Sequence, residues 1–230
     1  MRTWKLVTLI GAFLLGVNSL SQASLLSLAP SDTAPDFGAG LLNVTYAASN
    51  DTFQAIGQTT DYSNGSISPI SLGSFSLTAI INSDGLLTGG TLTVQGDVGE
   101  GTENLLTGTL ETGGGGTAFG FMDPPGGSLF QFSFTVTGGN PTIMQDFGGT
   151  NTANCAVILD AWFENGGVPF DGTWNNDFHN DGFSGLADAL AAIPEPSSFL
   201  LLLMGGVGCA MLIRKRRDRG SASSALKTGP

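Results

Sequence analysis

Phe75-Ser76-Leu77-Thr78-Ala79-Ile80-Ile81, Asn82-Ser83-Asp84-Gly85 and Gly90-Thr91-Leu92-Thr93-Val94-Gln95-Gly96 are the residues on which the fold reading turns. Apolar and polar side chains alternate on both sides of the break. A period of two places one set on one face of a strand and the other set opposite. The Asp-Gly step is turn chemistry, because Gly accepts the positive φ that a tight hairpin demands. The stretch predicts two antiparallel strands with one buried face and one wet face.

The same texture extends outward. Leu42-Asn43-Val44-Thr45-Tyr46-Ala47 alternates upstream. Downstream, Asn104 to Leu110 and Ala118 to Phe121 flank the loop Glu111-Thr112-Gly113-Gly114-Gly115-Gly116. Leu129 to Val136 is a strand with an aromatic face, and it stops at Gly138-Gly139-Asn140-Pro141, a turn signal. Ala156 to Phe163 is a last apolar run. That makes about seven or eight short strands with turn signals between them. No helical period appears before Leu186. The expected fold is all-β: a single antiparallel β-sandwich, jelly-roll-like, over 41–185. Phe75, Phe119, Phe121, Phe130, Phe132, Phe134 and Phe163 are its candidate core. A soluble β-barrel is the second architecture. An outer-membrane barrel requires strands of about ten residues with aromatic girdles, which these Gly-broken runs do not supply.

The two ends read as processing segments. Arg2 and Lys5 precede the apolar run Leu6 to Val17, and Ser21-Gln22-Ala23 offers small residues for cleavage. Residues 1–23 are therefore expected to be a signal peptide with a signal helix, and 24–40 a lead-in. At the other end, 186–193 reads as a stalk, with a short helix starting at Leu186-Ala187-Asp188-Ala189-Leu190. Pro194-Glu195-Pro196 follows, then the apolar run Phe199 to Ile213, then the basic cluster 214–219. Residues 220–230 read as a disordered cytoplasmic tail. A 15-residue apolar run is about 22 Å long as a helix, short of the roughly 30 Å hydrocarbon core. It reads as a transmembrane helix that holds the chain only temporarily. Arg214, Lys215, Arg216 and Arg217 act as the membrane stop and keep that end in the cytoplasm.

Charge is segregated. All eight Lys and Arg residues lie before Leu6 or after Ile213, while all but one of the 19 acids lie between them. The exported region therefore has no Lys or Arg for an ion pair or a phosphate, and nucleic acid is excluded as a partner. Of the two cysteines, Cys209 sits inside the apolar tail run and Cys155 is alone in the exported domain, in the apolar run Cys155-Ala156-Val157-Ile158-Leu159, where it reads as a small buried residue.

Catalytic constellations do not assemble from these residues. His179 is the single histidine; no Gly-x-Ser-x-Gly elbow accompanies it, and nothing selects one carboxylate pair for glycoside hydrolysis. The expectation is a non-enzymatic protein without a resident cofactor. One loop has metal-ligand spacing. Asp177-Phe178-His179-Asn180-Asp181-Gly182 and on to Asp188 puts Asp177, Asp181 and Asp188 at positions 1, 5 and 12 of a calcium loop, with Gly182 at position 6. It resembles a loop of the EF-hand or dockerin kind, but His179 stands at position 3 and Asp replaces the bidentate Glu at 12. The plain alternative is an Asn/Asp/Gly turn. Trp162, Phe170 and Trp174 lie near Asp171, Asn175 and Asn176, as in a sugar-binding face; core aromatics are the competing reading.

Pro194-Glu195-Pro196-Ser197-Ser198, the apolar segment with Gly205, and Arg214-Lys215-Arg216-Arg217 resemble the PEP-CTERM sorting signal of exported proteins of Gram-negative bacteria. The resemblance covers the tail alone. It implies recognition of Pro194, Glu195 and Pro196 by an exosortase, a membrane-embedded transpeptidase, and export through the inner membrane to the cell surface or beyond. The expected function is that of a structural or adhesive surface or matrix protein. The alternative is a carbohydrate-binding module, calcium-dependent where the loop above holds the ion, with extracellular polysaccharide as partner.

Overall fold

Among the described residues, eleven strands form one sheet. The computed structural model describes residue 26 and residues 35–99, 101–113, 118–123, 127–153, 155–163 and 166–191. Its elements are β1 (Asp36–Ala47), β2 (Thr52–Ser63), β3 (Ile67–Pro69), β4 (Ser71–Ile81), β5 (Leu87–Asp97), β6 (Glu103–Leu110), β7 (Phe119–Met122), β8 (Gly127–Gly139), α1 (Pro141–Asp146), β9 (Cys155–Trp162), β10 (Phe178–His179) and β11 (Gly185–Leu190). Every pairing is antiparallel. The path β1-β2-β4-β5-β6-β8-β9-β11 returns to β1, so eight strands close into an up-and-down barrel. β3 adds to β2, β7 to β8 and β10 to β1.

The barrel corrects the expected sandwich. A jelly roll needs strands that cross between two sheets. Here each barrel strand pairs with its neighbours in chain order, and the last pairs with the first. The strands are also longer than their apolar runs suggest: β1 and β2 have 12 residues each, β4 and β5 11 each and β8 13. Long strands close only if they bend, and bulges do the bending. The β1–β2 register shifts between Gly40 and Asn43, where Leu41 has φ 53°. The β4–β5 register shifts between Ser71 and Ser74, where Leu72 has φ 51°. Opposite the first bulge, a Cβ on Gly57 would stand 2.7 Å from the Gly40 carbonyl oxygen, so only glycine fits. Closure leaves no open edge on the ring.

The closing strand occupies residues read as a stalk. Gly185 to Leu190 pairs with β9 on one side and β1 on the other. Ala187 and Ala189 point inward and are buried. Pairing on both edges overrides the helical preference of the alanines. The described lead-in residues likewise enter β1 at Asp36.

The expected transmembrane helix has no counterpart among the described residues, where no helix is long and apolar enough to cross a membrane. α1 has six residues, about 9 Å of rise against the roughly 30 Å required. The segment 199–213 and the signal helix of 1–23 lie outside the described residues.

Phenylalanines fill the interior. Phe75, Phe119, Phe130, Phe132 and Phe134 are fully buried, and Phe121 and Phe163 pack partly buried against them. Cys155 is buried among them, its Sγ 4.0 Å from the Phe147 carbonyl oxygen. Gly108 makes room for one ring: a Cβ there would stand 2.4 Å from Phe134 Cδ2. At one end α1 seals the barrel. Asn140 caps it by accepting from Thr142 N (3.0 Å) and Ile143 N (3.3 Å), and Pro141 supplies the fixed φ of a first turn. Phe147, just after the helix, stacks on Phe37 at 5.8 Å. Tyr62 donates to Asp146 Oδ2 at 2.5 Å. Burial, and then that bond, push the phenol far above its ordinary range.

Candidate functional site

The chain between β9 and β11 holds most of the residues singled out from the sequence. It folds over the second end of the barrel as a plug. Phe170, Trp174 and Phe178 enter the barrel mouth. There they meet Tyr46 from the end of β1, Phe53 from the start of β2, Phe119 and Phe121 from β7 and Phe130 from β8. Ring centroids lie 4.9 Å apart for Phe170 and Trp174 and 5.0 Å for Tyr46 and Trp174. Tilted and edge contacts of this kind add to the area buried. The Tyr46 hydroxyl lies 2.8 Å from the Ile81 carbonyl oxygen and 3.0 Å from that of Trp174 and donates between them. Burial is the main cause of its pKa rising to about 12, with Asp51 and Asp177 adding to it.

Two polar side chains fasten the plug to β1. Asp177 Oδ1 accepts from Ala48 N at 2.7 Å. Asn180 is buried and does more. Its Oδ1 accepts from Val44 N at 2.9 Å and its Nδ2 donates to the Leu42 carbonyl at 2.7 Å. On this edge β1 pairs with β10 at Thr45 and Tyr46 and with β11 from Asp36 to Ala39. The Asn180 amide stands in the gap and serves as the missing peptide group. A buried backbone donor and acceptor are thereby satisfied.

The three candidate calcium ligands part company. Asp177 bonds to the β1–β2 turn. Asp181 Oδ1 accepts from Phe183 N at 3.2 Å and from the Ser184 hydroxyl, an Asx turn whose hydrogen bonds lower its pKa. Asp188 lies on β11, opposite Gly38 of β1, which is itself opposite Asp61 of β2. Burial, and then Asp36 and Asp61, raise the Asp188 pKa. Among the described residues no group of three or more His, Cys, Asp or Glu is placed to hold a metal ion.

The aromatic sugar platform is not formed either. Phe170 and Trp174 are 2% and 3% exposed, so their faces are spent on the plug; Trp162 is half-buried beside Ser184, whose hydroxyl donates to its carbonyl at 2.8 Å. Asp171, expected beside a ligand, ties its own loop instead, accepting from Thr173 N and Oγ1 and from Asn176 Nδ2. Sequence reasoning missed Asn180, because a buried Asn in an Asn-Asp-Gly run looks like any turn residue.

Pro194, Glu195, Pro196 and Arg214 to Arg217 lie outside the described residues. The sorting motif of the tail is shown by comparison instead. Residues 192–217 match the family model of the PEP-CTERM protein-sorting motif. The chain thus carries the signal of an exported protein directed to an exosortase. No curated protein and no solved structure matches the chain.

Proposed function

We propose that this is a surface or extracellular-matrix protein whose barrel is released or transferred by an exosortase and serves a non-enzymatic, structural or adhesive role. The observation that carries the reading is the coincidence of the matched segment 192–217 with Pro194-Glu195-Pro196 and the basic cluster. The barrel supports it from the other side. The last laddered residue is Leu190, and Ala191 N donates to the Pro35 carbonyl at 3.0 Å. A cut at Pro194-Glu195-Pro196 therefore leaves all eight ring strands in the product. A domain closed at both ends, with no open edge on its ring, suits an environment without chaperones.

Mass spectrometry of the mature protein from its native cells tests the processing. The expected C-terminus falls at or near Glu195. A steady-state product that still ends at Pro230 would overturn the reading. Glu195→Lys is expected to impair sorting and leave the barrel's melting temperature unchanged.

A further inference from the structure

Four neighbouring strands carry no ionisable side chain between their ends. β4 and β8 have none, Asp97 is the last residue of β5, and Glu103 is the first of β6. In a chain of net charge −11 that is a large uncharged area. An exposed sheet face usually takes charges, which keep it soluble and discourage stacking. Here hydroxyls and amides take their place.

The register sets these groups in rows. Thr78 is opposite Thr91, Thr91 opposite Thr109, and Thr109 opposite Thr135. Two residues along, Ser76 is opposite Thr93 and Thr93 opposite Thr107, whose hydroxyl lies 3.3 Å from that of Thr137. In a third row, Ser74 donates to Gln95 Oε1 at 3.1 Å, and Gln95 Nε2 donates to Asn104 Oδ1 at 2.8 Å. Strand geometry spaces the members of a row by about 4.8 Å and the rows by about 6.7 Å.

Threonine is stiff at χ1, so little side-chain entropy is lost when its hydroxyl is engaged. Each threonine also presents a methyl group. An array of fixed hydroxyls and methyls matches a chain of sugar rings, which offers hydroxyls at its edges and C–H groups on its faces. Charge narrows the partner further. These four strands hold no Lys, Arg or His for an anionic polymer, and Asp97, Glu103 and Glu111 border the face. A cationic polymer would go instead to the side bearing Asp36, Asp61 and Asp188.

We propose that the outer face of β4, β5, β6 and β8 binds a neutral polysaccharide laid across the threonine rows. The proposal rests on the reading of the barrel as a surface or matrix domain and names its ligand class. The test is affinity electrophoresis of the full-length chain in gels containing dextran, mannan or polygalacturonate. The expected result is retardation by dextran or mannan, weakened about tenfold, the worth of one or two net hydrogen bonds, in Thr91→Glu and in Thr107→Glu. Gln58→Glu, on exposed β2 away from the rows, should bind as the parent does. Thermal melts establish that each variant is folded, and Thr109→Lys replaces one that is not. Retardation by neither neutral polymer overturns the proposal, as does retardation that the row variants leave unchanged. Stronger retardation by polygalacturonate that the row variants weaken also overturns it, whereas retardation by the basic cluster 214–219 would be the same in parent and variants. A dimer in sedimentation that the row variants dissolve overturns it too, because the face would then belong to a second copy. Binding is read on unprocessed chain, so its failure leaves the exosortase reading standing, and an uncut C-terminus in cells leaves the binding result standing.

Discussion

The β4–β5 hairpin and the seam where β11 meets β1 are both antiparallel pairs in one barrel, yet they are held in different ways. The hairpin closes over Asn82 to Leu86. Asn82 Oδ1 accepts from Asp84 N at 3.1 Å and Leu86 N at 2.9 Å, and Gly85 takes φ 75°. Everything that forms the pair lies within a few residues of it. The seam joins opposite ends of the domain, and Val44 and its partner Asn180 are 136 residues apart. Its ladder is also interrupted, with one side-chain amide standing in for a strand. A local pair needs only its own turn residues, whereas a distant pair must offset a large loop entropy with burial. The aromatic plug provides that burial, and it lies on the connection that leads into β11.

The largest loss of stability should come from the plug. Trp174→Ala is expected to cost about 4 kcal/mol in urea unfolding, in the range for large aromatic truncations in a core. It should also speed amide exchange at Val44 and His179 before it affects β4 and β5. Uniform exchange across the barrel would break the contrast between seam and hairpin. Asn180→Leu should cost about 3 kcal/mol, because it strands the Val44 N–H and the Leu42 carbonyl in the interior. A cost near zero would show that the amide is not a ladder member.

The hairpin should respond more weakly. Asn82→Ala removes two turn hydrogen bonds in an exposed loop and should cost about 1 kcal/mol, with the register of β4 and β5 intact by nuclear magnetic resonance. The smallest effect concerns charge at the seam. The Asp188 pKa is raised by burial and by Asp36 and Asp61. Between its unfolded and folded pKa, therefore, Asp188 holds more of its proton in the folded protein than in the unfolded chain. Stability contributed by this group falls as pH rises through the folded pKa and is regained on acidification. Asp188→Asn should raise the melting temperature slightly at about pH 7, and the gain should shrink towards about pH 4. A gain independent of pH would assign the effect to packing.

Much of the barrel was legible strand by strand. The alternation in 75–81 and 90–96, the turn at Asn82 to Gly85 and the phenylalanine core all stand as read. The ring was not legible, because an alternating strand suits a sandwich and a barrel equally well. The bulges at Leu41 and Leu72 that bend the sheet look like ordinary residues in the sequence. Asp177, Asp181 and Asp188 had loop spacing, but spacing places ligands on one ion only if the loop is continuous. Here Asp188 had already entered β11.

By itself, the sequence determined the all-β class, the local hairpin and the sorting tail. Each depends on residues a few positions apart, and turn chemistry, side-chain alternation and a linear recognition motif need nothing further. Tertiary structure alone decided closure, the conversion of 186–190 from expected stalk to final strand, and the burial of Phe170 and Trp174. It also decided which hydroxyls align across β4, β5, β6 and β8. These depend on which strand finds which partner and in what register, and register is set by the packing of the whole interior.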